Sequence, residues 1–380
     1  MANLNIQQIQ FSSAINYKNN AINSTQDETG SIFSTQNGNT EPITIQKTTN
    51  TIQTPNTDNE NNRLPAILTK NYSDTMQRAI EERYNKAIET NEKLIPQDTD
   101  LTENQKRWQG YAEKYSQNND AASQRKAQLF SSMLADKGNG KIDKPSKQIS
   151  NNCWLVSGLN SLTTTEMGRT LIENNIKKDN EKHIFSIHLQ EAENNNMPAP
   201  KGDGIYTFTE KEVFDAQQRG NKDGLVSGDG DTSAFALAIE TYLKEKNNNN
   251  LPQGKSHFSD GAKVSRLYEI ITGLERKSFQ NNNDTGITFQ EVSNNTSTEY
   301  FEFIHKINKE QLGATTLNIN GHAFCVVDSD ENSILIQESN LTEVYKNNLE
   351  LIPNTFPPTY KISKEQFNYQ VESFGVIKWN

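Results

Sequence analysis

The run Gln148-Ile149-Ser150-Asn151-Asn152-Cys153-Trp154-Leu155-Val156 is followed far downstream by Asn320-Gly321-His322-Ala323-Phe324. Together these stretches supply a thiol, an amide donor shortly before it and an imidazole, the parts of a cysteine-dependent acyl-transfer site. The thiolate is the nucleophile, so the surroundings of Cys153 matter as much as its identity. Leu155, Val156, Leu159 and Leu162 recur at helical spacing, which predicts Cys153 at or just before the first turn of a buried helix. Unsatisfied amides and the positive end of the helix dipole favour an anion there.

The imidazole needs a strand and a neighbour to orient it. Alternating segments around Thr315-Leu317-Ile319 and Phe324-Val326 read as antiparallel strands, and Ser329-Asp330-Glu331-Asn332-Ser333 reads as a hairpin turn between strands Ala323 to Val327 and Ile334 to Glu338. A hairpin symmetric about Glu331 pairs Val326 with Ile336, Phe324 with Glu338, and His322 with Asn340. Opposed residues share a face, so this register makes Asn340 the group that orients His322. Cys325 then points away from His322 and reads as core. Alone, His322 would be an ordinary strand-edge histidine; beside the Cys153 motif it reads as the general base. His183 and His188 flank a plain strand, and His257 and His305 lack a patterned partner, so all four read as structural or exposed.

Residues 1–64 are dominated by uncharged polar residues with little to bury and read as a low-complexity, disordered tail. Residues 65–140 read as a helical module. Its first helix carries Met76, Ile80, Tyr84, Ala87 and Ile88 on one face, with Ser73 or Asp74 as cap, and weaker helices surround Trp108 and Leu129. Residues 141–250 would carry the nucleophile and 251–380 the histidine, with the boundary near the Asn247 to Asn250 run. The expected class is therefore α+β.

Composition removes several alternatives. A net charge of −10 without a basic stripe argues against a nucleic-acid partner. No apolar stretch approaches the length of a membrane span, and the first twenty residues lack the basic and apolar parts of a secretory signal. Cytoplasmic location, or export without a conventional signal, is the expectation. The two cysteines, Cys153 and Cys325, lack zinc-site spacing, so no metal or other cofactor is expected. Asp229, Asp231, Ser233 and Glu240 match EF-hand spacing, but Ala234 stands where the loop needs Gly, and Asp231 to Ser233 read as a helix cap instead.

Gln148, then Cys153-Trp154-Leu155 on a helix, then Gly321-His322-Ala323 on a strand and a following Asn340 resemble the calpain family of papain-like cysteine peptidases. Leu159-Asn160-Ser161-Leu162, the helix Phe235 to Leu243 and Tyr268 to Gly273 extend the resemblance over roughly residues 141–380. It implies a two-lobed fold, with a helical lobe holding the nucleophile and an antiparallel β lobe holding His and Asn. It also implies an endopeptidase acting on proteins or peptides, with Cys153 as nucleophile, His322 as base and acid, Asn340 as orienter and Gln148 as oxyanion-hole donor. Calcium enters only by analogy with the family. The chain departs from the family in having Gln148 five residues before Cys153 rather than six, and Leu341-Thr342 where Pro-Trp follows the Asn. Two further readings stay open: a catalytically impaired binding scaffold, and a papain-like acyl transferase or deamidase. Oligomeric state, substrate and the role of the helical module have no sequence signal.

Overall fold

The computed structural model describes residues 72–190, 200–219, 225–246, 258, 263–274, 287–293, 298–341 and 349–379. The expected tail, the Asn247 to Asn250 run and His257 lie outside the described residues. The chain from Leu64 to Asn380 is one compact unit of mixed α and β structure. Every strand pairing among the described residues is antiparallel.

Helix α1 (Ser73–Glu89) buries Met76, Ile80 and Ala87. It lies against a three-stranded sheet made of β2 (Ile176–Asp179), β3 (Ile184–His188) and β4 (Ile205–Thr209). Two details differ from the periodicity. Tyr72 takes the cap position with no side-chain cap bond, and Ile88 is exposed because the apolar face ends at Ala87, one residue earlier. Helices α2 (Glu103–Ser116) and α3 (Ala121–Ser132) form a hairpin closed by Tyr111 and Tyr115 against Phe130. This N-terminal module is tied to α6 (Glu210–Gln217) by amide exchanges: Gln217 bonds both the amide and the carbonyl of Asp136, and Gln218 bonds the Thr102 amide and the Asp100 carbonyl.

Strand β1 (Lys147–Gln148) leads into α4 (Cys153–Thr163), α5 (Glu166–Asn175) follows, and β1 pairs with β5 (Val226–Ser227). Helix α7 (Gly230–Lys246) is capped by Asp229, whose Oδ1 accepts the Thr232 amide at 2.8 Å. After α8 (Arg266–Thr272), the chain builds a seven-stranded sheet. Its strands are β6 (Ile287–Ser293), β7 (Gly313–Ile319), β8 (His322–Ser329), β9 (Ser333–Glu338), β10 (Glu350–Leu351), β11 (Thr359–Ser363) and β12 (Val371–Trp379). They stand in the order β10-β11-β9-β8-β7-β12-β6.

Strand alternation gives this sheet two apolar faces. Leu317, Phe324, Val326, Ile336, Phe374 and Val376 share a core with α9 (Thr298–Lys309) and α10 (Lys364–Gln370), to which Phe301, Ile304 and Phe367 belong. Ala314, Ala323, Ile377 and Trp379 join the larger core of α4, α7 and α8 on the other face. The small residues on that face let helices come close. A Cβ on Gly375 would stand 2.9 Å from Ser265 Cβ, and one on Gly158 of α4 would stand 2.7 Å from Leu267 Cδ2. Ser157 Oγ of α4 donates to the Ala323 carbonyl of β8 at 2.7 Å. The nucleophile helix is thereby fastened to the histidine strand.

Candidate active site

Cys153 opens α4, the place its spacing predicts. Asn152 precedes it in a non-helical conformation, is fully buried, and donates through Nδ2 to the Leu225 carbonyl at 2.5 Å. The Asn152 carbonyl accepts the Leu155 and Val156 amides and so starts the helix. Trp154, Leu155, Val156, Leu159 and Leu162 are buried, whereas Cys153 is half-buried. A buried face anchors the helix while its first residue stays within reach of solvent.

His322 is delivered by the turn that joins β7 to β8. Asn320 and Gly321 both take positive φ, 53° and 71°, the combination a tight two-residue hairpin requires. His322 then pairs with Ile319 as the first residue of β8, and its imidazole packs on the Phe324 ring in a T-shaped contact with ring centroids 4.9 Å apart. Its side chain is hydrogen-bonded to Cys153.

The partner on the other side of the ring is Glu338. His322 Nε2 lies 2.5 Å from Glu338 Oε1, which leaves Nδ1 for the sulfur. The hairpin register is the expected one near this point, with Phe324 opposite Glu338 and Val326 opposite Ile336, and a bulge follows at Val327. The contacts of Asn340 among the described residues are with Lys147 and Glu338. Strand β9 ends at Glu338, and the Ser339 carbonyl accepts the Gln148 amide at 3.0 Å, so the chain turns toward β1 before Asn340 is reached. A diagonal neighbour across the ladder is within reach of a long side chain, and Glu338 has the length. Asn340 contributes its backbone: its N–H donates to Glu338 Oε1 at 2.9 Å, while Lys147 Nζ donates to its carbonyl at 2.7 Å.

The three groups couple electrostatically. Burial opposes charge on the His322 ring, yet the hydrogen bonds and charges of Cys153 and Glu338 raise it to about 9. Burial likewise opposes the Cys153 thiolate, but His322 and the Ala323 and Trp154 amides bring the thiol below its ordinary range. Glu338 is fully buried, and its Oε2 has no partner among the described residues. Burial lowers the Lys147 ammonium, and the charge of Glu338 partly offsets that. Both shifts run toward a thiolate–imidazolium pair, with the Glu338 carboxylate behind the ring.

Gln148 lies on β1 beside the same segment, where its Oε1 accepts from Ser339 Oγ and its Nε2 makes a long 3.5 Å contact to the Ser150 carbonyl. Cys325 is buried with its thiol pushed up to about 12 by desolvation, the opposite of Cys153. His183 bonds Glu210, His188 packs on Tyr72, and His305 bonds Ser329. The EF-hand-like carboxylates serve the backbone. Asp229 accepts the Asp143, Lys144 and Thr232 amides, and Asp231 accepts those of Asn139 and Gly140. The cap of α7 is thus Asp229, two residues before the stretch expected to supply it. Burial pushes both carboxyls above the usual carboxylate range.

Glu338, Ser339 and Lys147 are the site residues that motif reading passed over. Glu338 carried a signal all the same: on β9 it falls in phase with Ile334 and Ile336, so the alternation places a carboxylate on a core-facing position. Compared with known proteins, the chain matches no protein-family model and no curated protein.

Proposed function

We propose that this protein is a papain-like cysteine endopeptidase of calpain type that works through Cys153, His322 and Glu338. The observation that carries the reading is the hydrogen-bonded relay from the Cys153 thiol at a helix start, through the His322 imidazole, to the buried Glu338 carboxylate. In this reading α4 and its neighbours form the helical lobe, and the seven-stranded sheet forms the β lobe of the two-lobed architecture.

The Cys153 thiolate attacks the peptide carbonyl, and the oxyanion is received by the Cys153 backbone N–H and Gln148 Nε2. Each such donor is worth about 3 kcal/mol in a comparable site. The imidazolium gives its proton to the leaving amine, with Glu338 stabilising the charged ring until the transfer. Water, deprotonated by the neutral His322, then releases the acyl group. A carboxylate in the orienting position holds the imidazolium more firmly than an amide would, because the bond is charge-assisted. Two features favour this over the scaffold reading: Cys153 is half-buried rather than sealed, and it is paired with His322.

The test is labelling of Cys153 by a peptide vinyl sulfone, run beside His322→Ala. Rapid labelling that the variant loses is the expected result. Labelling no faster than a free thiol, unchanged in the variant, would favour the scaffold. Rapid labelling with turnover of a glutamine amide but no peptide cleavage would point to the deamidase.

A further inference from the structure

The segment Ser339-Asn340 touches both halves of the site. On one side the Asn340 N–H holds Glu338 Oε1 at 2.9 Å, and Glu338 holds His322. On the other side the Ser339 carbonyl takes the Gln148 amide at 3.0 Å, and the Ser339 hydroxyl donates to Gln148 Oε1. Lys147, next to Gln148, closes the clip by donating to the Asn340 carbonyl at 2.7 Å. Ser339 is only 1% exposed, so this contact is shielded from bulk solvent.

A glutamine amide can point either way round, and its surroundings decide which end faces the substrate. The Ser150 carbonyl near the Nε2 end can only accept, so a flipped amide would set oxygen against oxygen there. The Ser339 hydroxyl supplies the donor that Oε1 needs. At 3.5 Å the Ser150 contact is too long to commit Nε2. One end of the amide is therefore held and the donor end is left available.

We propose that Ser339 is a positioning residue for the oxyanion hole, holding Gln148 by its Oε1 so that Nε2 is presented to the developing oxyanion. The inference rests on the reading of Cys153 as a peptidase nucleophile. It also links the two functions of the site, because displacement of one two-residue segment disturbs the oxyanion donor and the imidazole's carboxylate together.

The experiment uses the full chain as wild type, Ser339→Ala, Ser339→Thr, Gln148→Ala and the Ser339→Ala/Gln148→Ala pair, each checked by thermal melting. Three readouts are compared: cleavage of fluorescent casein, binding of a peptide aldehyde whose thiohemiacetal oxygen occupies the oxyanion hole, and alkylation of Cys153 by iodoacetamide, which needs only the thiolate. Ser339→Ala is expected to lower casein cleavage and aldehyde affinity by the same factor of about ten, and Gln148→Ala by about 10²-fold. Alkylation should stay at the wild-type rate, Ser339→Thr should recover the loss, and Ser339→Ala should cost nothing further in the Gln148→Ala background. An unchanged aldehyde affinity in Ser339→Ala, or a loss that repeats in full without Gln148, overturns the proposal while leaving the peptidase reading intact. Wild-type alkylation no faster than that of a free thiol instead removes the peptidase reading, and the role of Ser339 falls with it.

Discussion

Glu338 and Asn340 are two residues apart and make opposite predictions. Glu338 touches the His322 ring through its carboxylate, whereas Asn340 acts through its backbone N–H. Glu338→Gln keeps the shape and removes the charge, so the activity should fall by about 10²- to 10⁴-fold. The sign of the accompanying pH effect follows from the raised histidine. His322 stays protonated up to about 9, and the active ion pair is lost as pH rises through that value. Without the carboxylate the ring loses its proton earlier, and the alkaline limb of kcat/KM should move down by about 1 to 3 pH units. Asn340→Ala keeps the amide and should change kcat/KM by less than about threefold, its effect confined to the weak 3.4 Å contact from Lys147. An Asn340→Ala loss as deep as that of Glu338→Gln would reverse the two assignments.

Element packing explains why this site can be held at all. Helix α4 sits on β8 through the Ser157 bond to the Ala323 carbonyl, and it packs on α8 because Gly158 admits Leu267. Helix α8 sits on β12 because Gly375 has no side chain; a Cβ there would lie 2.9 Å from Ser265 Cβ and 3.0 Å from its Cα. Those atoms belong to the start of a helix rather than to a movable side-chain tip. Gly375→Ala should therefore cost about 1 to 3 kcal/mol, read as a lower denaturation midpoint. Elsewhere, Asp229 caps α7 and holds two loop amides, so Asp229→Ala should cost about 2 kcal/mol or more. Both variants are expected to keep the Cys153 alkylation rate of wild type below their melting temperatures, since neither touches the relay.

Across the molecule, the loop of residues 138–144 is joined to α7 through carboxylates. Asp231 and Asp229 collect its amides, and Asp136 accepts the Gly230 amide in return. Burial raises both carboxyls, Asp229 to about 6 and Asp231 to about 7. A carboxyl raised on folding stabilises the fold in its protonated form. Its contribution is full below the ordinary carboxylate range and is lost as pH rises through the raised values. From this pair, the melting temperature should fall between pH 5.5 and pH 8, and Asp231→Asn should flatten that fall. A steeper fall in Asp231→Asn would mean that the backbone amides outweigh burial and hold the carboxylate charged.

Local pattern was enough for much of this protein. The Cys153 helix, the β7 to β9 meander, the hairpin register and the mixed α and β class follow from spacings of two, three and four residues, which local backbone geometry enforces wherever one face is buried. The same alternation that paired Phe324 with Glu338 also contained the orienting carboxylate, since it put Glu338 in phase with Ile334 and Ile336. What periodicity does not carry is where a strand stops. Strand β9 ends at Glu338, and the next residue, Ser339, is bonded to Gln148, 191 residues earlier, while Asn340 meets Glu338 through its backbone N–H. The choice of Glu338 over Asn340 and the linking of Gln148, through Ser339 and Asn340, to the histidine's carboxylate arise between segments distant in sequence. Hydrogen bonds of that kind leave no period in the chain, so the tertiary structure alone decided them.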